Sequence, residues 1–274
     1  MSYLQLERRV PETSALDPRI VTWFYGLISL VPLVRTVHRR FVDGVLARGI
    51  TTGTGLDLGT GPGYVVMEIT RQRPGLRMVG LDLAAHMVEK ASRQASRAGL
   101  DGRGSWPQGD GHRLPFADAT FDLVVSSFAM HHWDDPLQVL NEMARVLKPD
   151  GRYYLADLCR EASLFQRLVA YGSIPAISLP LGSYLGYGGY YESLRAAYTH
   201  GEVQALLEHS NLPPGEVYLD STWFVPIVII ASETSLFRSA DIHTVADRQG
   251  LEISNNSHTD NPTPSKKTCD EGEL

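Results

Sequence analysis

The chain has 274 residues, 43% of them hydrophobic and 20% charged, with a formal net charge of −6 and a pI near 5.8. That length supports one globular domain with extensions, and the acidic balance argues against nucleic acid as a partner, because neutralising phosphates needs a basic face. The two cysteines, Cys159 and Cys269, lie far apart with no CxxC spacing, so neither a disulfide framework nor a metal site is expected and a reducing cytoplasm is the expected setting.

Met1 to Arg9 lacks a basic start ahead of an apolar run, so no signal peptide is read there. Ile20 to Val34 is mostly apolar, lies between Arg19 and Arg35, and is interrupted by Pro32. It is shorter than the about 20 helical residues that cross a bilayer. Three readings stay open for it: a packing helix, a lid over a ligand, or a contact with a membrane surface. Arg35 to Leu46 places Val37, Phe41, Val42, Val45 and Leu46 near a helical period. Residues 1–50 are therefore expected to form an N-terminal helical extension.

Next comes a short buried strand, Leu56 to Leu58, running into Gly59, Gly61 and Gly63. A helix should follow, with Val66, Met67 and Ile69 on its packed face. Glycine suits a sharp turn that lies close to a ligand, since no Cβ stands in the way. A strand, a glycine turn and a helix N-terminus together make a nucleotide cradle in open α/β sheets. The spacing here is G-x-G-x-G; the dinucleotide fingerprint would need a glycine at Tyr64. A second strand, Arg77 to Asp82, ends in an acid about 20 residues past the glycines, where a ribose-binding carboxylate sits in nucleotide folds. Asp82 also fits a helix cap before Ala84 to Val88.

Gln108-Gly-Asp110-Gly111 and Leu114-Pro-Phe116 precede a strand from Phe121 to Ser127. Phe128-Ala-Met-His-His-Trp133, a helix from Pro136 to Leu147 and a strand from Arg152 to Asp157 follow. Alternating strands and helices predict a parallel sheet covered on both faces. Residues 158–201 break the alternation with glycines, prolines and six tyrosines at 171, 184, 187, 190, 191 and 198, the pattern of a variable insertion. Thr199 starts a helix with Val203, Leu206 and Leu207 on one face. Glu216 to Asp220 and Trp223 to Ala231 read as two last strands. Residues 234–274 read as a C-terminal extension with a flexible tail from about 254.

Four pieces occur in order: LDLGTGPG, VGLDLAAHMVEKA, GDGHRLPFADATFDLVVSSFAMHHWDDP and RVLKPDGRYYLAD. Together they resemble the class I S-adenosylmethionine-dependent methyltransferases, of the type that includes ubiquinone/menaquinone-biosynthesis and related small-molecule methyltransferases. The resemblance implies a Rossmann-like, mostly parallel seven-stranded sheet over residues 51–233, with helices on both faces and a terminal antiparallel strand pair. It implies S-adenosyl-L-methionine as cofactor and a small-molecule acceptor, with the insertion at 158–201 as acceptor cap. Its cofactor residues carry over as Gly59, Thr60, Gly61 and Gly63 in the turn, and Asp57 toward the methionine ammonium. Asp82 carries over to the ribose, Leu83 and Met87 flank the adenine, Asp110 and Gly111 meet the adenine edge, and Ser127 lies near the methionine. His131 and His132 are candidate bases, since imidazole takes protons near neutral pH. The tyrosines suggest a hydrophobic or aromatic acceptor. A second reading keeps the cofactor but not the turnover: a methyltransferase-like regulatory or assembly protein.

Overall fold

The computed structural model describes residues 32–161, 193–220 and 226–232, all within one compact unit. Ile20 to Val31, the tyrosines from 171 to 191 and the tail after 254 lie outside the described residues. Helix α1 is Pro32–Leu46, followed by β1 (Thr52–Leu58), α2 (Tyr64–Gln72), β2 (Gly75–Leu81), α3 (Ala85–Arg97) and the two-residue β3 (Gly104–Ser105). Then come β4 (Phe121–Ser127), a 3-10 turn (Met130–His132), α4 (Pro136–Val146), β5 (Leu147–Leu158), α5 (His200–His209), β6 (Gly215–Asp220) and β7 (Ile227–Ser232).

The seven strands lie in the order β3-β2-β1-β4-β5-β7-β6. β7 runs antiparallel to both β5 and β6, and the pairings among the first five strands are all parallel. The expected terminal antiparallel pair is present, with β7 slotted inside β6. Successive side chains on a strand face opposite ways, and here both faces are apolar. Leu56, Leu58, Val124, Tyr153 and Leu155 pack with Val139, Leu140 and Met143 of α4 and with Val203 and Leu207 of α5. Leu123, Val125, Tyr154 and Ala156 pack with Phe41, Val42 and Val45 of α1 and with Val65, Val66 and Ile69 of α2. Each such buried side chain contributes about 1.5–3 kcal/mol, which is why amphipathic helices are drawn onto both faces.

Helix starts follow their sequence signals. Asp135 accepts from the Gln138 N–H at 3.0 Å with Pro136 at the first helical turn, and Thr199 and Glu202 form a reciprocal capping box. Two local expectations change. The strand after α4 begins at Leu147 rather than Arg152, because Leu147 pairs with Phe121 ahead of a register shift. β3, too short to show a period, is an added edge strand on β2.

The order reverses at β1: β2 and β3 extend to one side, and β4 and β5 to the other. Open α/β sheets bind ligands beyond the carboxyl ends of the strands at such a switch point. Among the described residues, no helix is long and apolar enough to cross a membrane.

Candidate functional site

At the switch point, β1 runs into the glycine turn, and β2 holds that turn from the side. The Gly59 and Thr60 N–H groups donate to the Leu81 carbonyl at 2.9 and 3.0 Å, and the Gly61 N–H donates to Asp82 Oδ2 at 2.8 Å. Gly59, Gly61 and Gly63 all have positive φ, at 75°, 52° and 82°. Gly59 and Gly61 serve different purposes. A Cβ on Gly59 would sit 2.5 Å from the Ala129 Cβ, so packing against the turn after β4 requires glycine there. A Cβ on Gly61 would meet nothing within 4 Å. Gly61 faces open space, as a ligand cradle requires.

Under the turn lies Asp57, 1% exposed. Its Oδ2 accepts from the Thr60 hydroxyl at 2.7 Å, while among the described residues its Oδ1 has no partner. Burial pushes its carboxyl up to about 7; the Thr60 bond works against this, and the charge of Asp82 adds to it. A buried acceptor left unpaired costs about 1–3 kcal/mol, so such atoms need an explanation.

Asp82 is half-buried. Oδ2 holds the Gly61 N–H, and Oδ1 accepts from the Ala84 N–H at 2.9 Å, at the start of α3. It therefore braces both the glycine turn and the helix, and each oxygen keeps a second lone pair. Next to it, Leu83 is 69% exposed, whereas Met87 is buried. The loop that follows β3 is tied to this corner: Gly109 N–H donates to the Asp82 carbonyl at 3.0 Å, and Gln108 Nε2 donates to the Leu83 carbonyl at 3.0 Å. Asp110 is thereby brought to the Asp82–Leu83 side and is exposed. The His112 backbone N–H and ring hold its carboxyl below the usual range. Gly111 packs on Leu58; an added Cβ would lie 3.3 Å from its Cδ1.

β4 and β5 supply the other half. The Ser127 hydroxyl is buried and has no partner among the described residues. Phe128 follows it at φ 54°, a conformation that bulky residues rarely adopt and that clusters at functional sites. Its N–H donates to the Ala156 carbonyl at 2.8 Å. The paired histidines separate. His132 is exposed; His131 is buried, its N–H donating to Asp157 Oδ2 at 2.8 Å and its Nδ1 lying 2.6 Å from Asp157 Oδ1. Such a carboxylate fixes the imidazole orientation and accepts the proton carried on Nδ1. Asp157 and Phe128 were not among the residues singled out from sequence. For Asp157 the signal was an acid inside the apolar run Tyr153 to Leu158; for Phe128 there was none, because backbone strain has no sequence signature.

Cys159 is buried and its thiol is pushed up to about 11, first by burial, so it is inert as a nucleophile. Among the described residues no group of three His, Cys, Asp or Glu side chains is placed to hold a metal ion.

A family profile described as a methyltransferase domain matches residues 56–155, from the middle of β1 to β5. The match covers the carboxyl ends of β1, β2 and β4 and stops two residues short of Asp157 on β5. The chain is 37% identical over 162 residues to the ubiquinone/menaquinone biosynthesis C-methyltransferase UbiE of Desulfotalea psychrophila, across 57% of this chain and 64% of that protein. It is 32% identical over 171 residues to the biotin biosynthesis bifunctional protein BioHC of Teredinibacter turnerae, across 59% of this chain and 30% of that protein. The chain thus spans less than two thirds of either relative. In fold it resembles a SAM-dependent methyltransferase from Aquifex aeolicus, with a TM-score of 0.53 at 20% identity over 70% of this chain and 89% of the other. The strand ends fit S-adenosylmethionine, the cofactor that the sequence resemblance implies: a glycine turn open at Gly61, an unpaired carboxylate oxygen below it, and an unpaired hydroxyl at Ser127.

Proposed function

We propose that the chain transfers a methyl group from S-adenosylmethionine to a small hydrophobic or aromatic acceptor in the cytoplasm. The observation that carries this reading is the unpaired Asp57 oxygen beneath the open face of Gly61. Asp57 and the turn residues Gly59, Thr60, Gly61 and Gly63 hold the amino-acid end of the cofactor, and Ser127 closes that end. Asp82 takes the ribose hydroxyls on its spare lone pairs. Exposed Leu83 and the Met87 side of α3 cover the adenine, while Asp110 and Gly111 meet its edge. When bound, the cofactor supplies a methyl carbon that its sulfonium makes electrophilic.

The protein's own work is then positioning, water exclusion and proton removal. His131, oriented by Asp157, is the proposed base: it takes the proton from the acceptor atom that becomes methylated. General bases placed this way contribute about 10²–10⁴-fold. His132, on the surface, contributes to neither step. The acceptor class is supported by the relatives named for quinone and biotin biosynthesis and by the tyrosine-rich insertion. The insertion and the N-terminal residues 1–50 are proposed to cap the acceptor, with residues 20–34 available for a membrane surface. Residues 51–233 form the methyltransferase domain in this reading, and 234–274 an extension.

The test is methyl transfer from methyl-labelled S-adenosylmethionine into a small-molecule extract of the source cells. Label in a low-mass product supports the reading. Label confined to protein or nucleic acid contradicts it, and tight binding without transfer to any fraction favours the regulatory alternative.

A further inference from the structure

His112 is tied down at every polar group it has. Its backbone N–H donates to Asp110 Oδ1 at 2.9 Å, and its ring Nδ1 lies 2.7 Å from the same oxygen. Its carbonyl accepts from Gln138 Nε2 at 2.9 Å, and its ring Nε2 accepts from the Asp135 N–H at 3.2 Å. Only one tautomer satisfies both ring contacts. Nε2 faces an N–H and must be the acceptor, so Nδ1 carries the hydrogen and donates it to Asp110. The ring is therefore a bridge with a defined direction, from the first turn of α4 to the carboxylate of Asp110.

What the bridge does follows from what it joins. Asp110 is an exposed loop side chain whose free rotation would dilute any contact it makes to a ligand. Two bonds from one neighbour to one oxygen fix its rotamer and use only Oδ1. The loop is separately fastened to β2 through Gly109 and Gln108, so the backbone does not need His112 to stay in place. The ring's contribution is to the direction of the carboxylate. α4 in turn follows directly on the segment that carries His131, so the same ring couples the two halves of the site.

We propose that His112 is a positioning residue that aims Asp110 at the exocyclic amino group of the cofactor's adenine, and so sets the preference for adenine over a 6-oxo purine. This rests on the reading of Asp110 as the adenine-edge acceptor. A carboxylate held in place accepts from an amino group and repels a carbonyl oxygen; a mobile one does neither well.

The experiment measures affinity by calorimetry for S-adenosylhomocysteine and S-inosylhomocysteine in four proteins: wild type, His112→Ala, His112→Asn and His112→Gln. Wild type should prefer the adenine compound by at least about tenfold, as expected for a bond to a charged group. His112→Ala should lose about five- to tenfold for the adenine compound and leave the inosine compound within about twofold. His112→Asn puts an amide donor where Nδ1 stands and should restore most of the preference. His112→Gln reaches only toward the Asp135 N–H and should not. An equal loss for both compounds in His112→Ala, or no loss, overturns the proposal, because a merely structural ring would not discriminate between them. A wild type that binds neither compound removes the cofactor reading itself, and a wild type that binds both equally removes the role of Asp110.

Discussion

Two aspartates on neighbouring central strands have opposite surroundings. Asp122, at the amino end of β4, accepts from the Thr54 N–H at 2.8 Å and from the Thr54 hydroxyl, and both its oxygens hold the Lys148 ammonium at 2.9 Å. Those bonds overcome its burial and keep its carboxyl below the usual range. Asp57, at the carboxyl end of β1, has one hydroxyl for one oxygen and nothing for the other, and its carboxyl rises to about 7. The same side chain is saturated at one edge of the sheet and left wanting at the other. The amino edge is built for stability. The carboxyl edge carries the unpaired Asp57 and Ser127 oxygens, the glycine turn and Phe128 at φ 54°, and in the proposed reading a ligand completes it.

That contrast breaks first at the chemistry. His131→Ala should lower methyl transfer by about 10²–10⁴-fold while leaving S-adenosylhomocysteine affinity within about twofold, measured by single-turnover label transfer and calorimetry. Asp157→Asn should follow it with a smaller loss, since the ring stays but its tautomer is no longer fixed. Gly61→Val should weaken cofactor binding by about a hundredfold or more, because a branched side chain enters the open cradle and resists φ 52°. Circular dichroism must show that this variant keeps its helices; a folded variant that binds normally refutes the cradle.

Asp82→Ala should cost about tenfold or more in affinity and also lower the melting temperature, since it leaves the Gly61 and Ala84 N–H groups without their acceptor. The smallest effect belongs to the amino edge. Asp122→Ala should reduce stability by about 1–3 kcal/mol, a few degrees in melting temperature, with cofactor affinity unchanged. A loss of affinity in that variant would blur the division between the two edges.

Much of this was legible in the sequence. The strand–glycine–helix unit, Asp82, the apolar run at β4 and the helix start at Thr199 all follow from local pattern. So does the seven-strand sheet, through the four ordered motifs. What the sequence did not show is relational. Nothing local says that Asp57 keeps an oxygen unpaired, that His131 meets the buried carboxylate of Asp157, or that His112 joins α4 to Asp110. The partners in these contacts are 23 to 26 residues apart for His112–Asp135 and His131–Asp157 and meet only through the fold. Asp82 shows the intermediate case: sequence offered a cap or a ligand anchor, and its two oxygens already brace a helix and a turn with lone pairs to spare.

The most direct test is proton release on cofactor binding. The folded carboxyl of Asp57 is raised from 3.8 to about 7, so ionising it opposes the unliganded fold. Stability from this group is therefore greatest at low pH and falls as pH rises from about 4 to about 7. The cofactor's ammonium reverses the preference, since only the carboxylate attracts it. Affinity should climb with pH up to about 7 and level off above. Calorimetry of S-adenosylhomocysteine binding at pH 7, in two buffers of different ionisation enthalpy, should report release of about half a proton per site. Asp57→Asn should bind more weakly, release none, and melt at a higher temperature than wild type at pH 8. Binding without proton release in the wild type, or an unchanged proton count in Asp57→Asn, would contradict the assignment of Asp57 and with it the claim that this edge of the sheet is left incomplete for the cofactor.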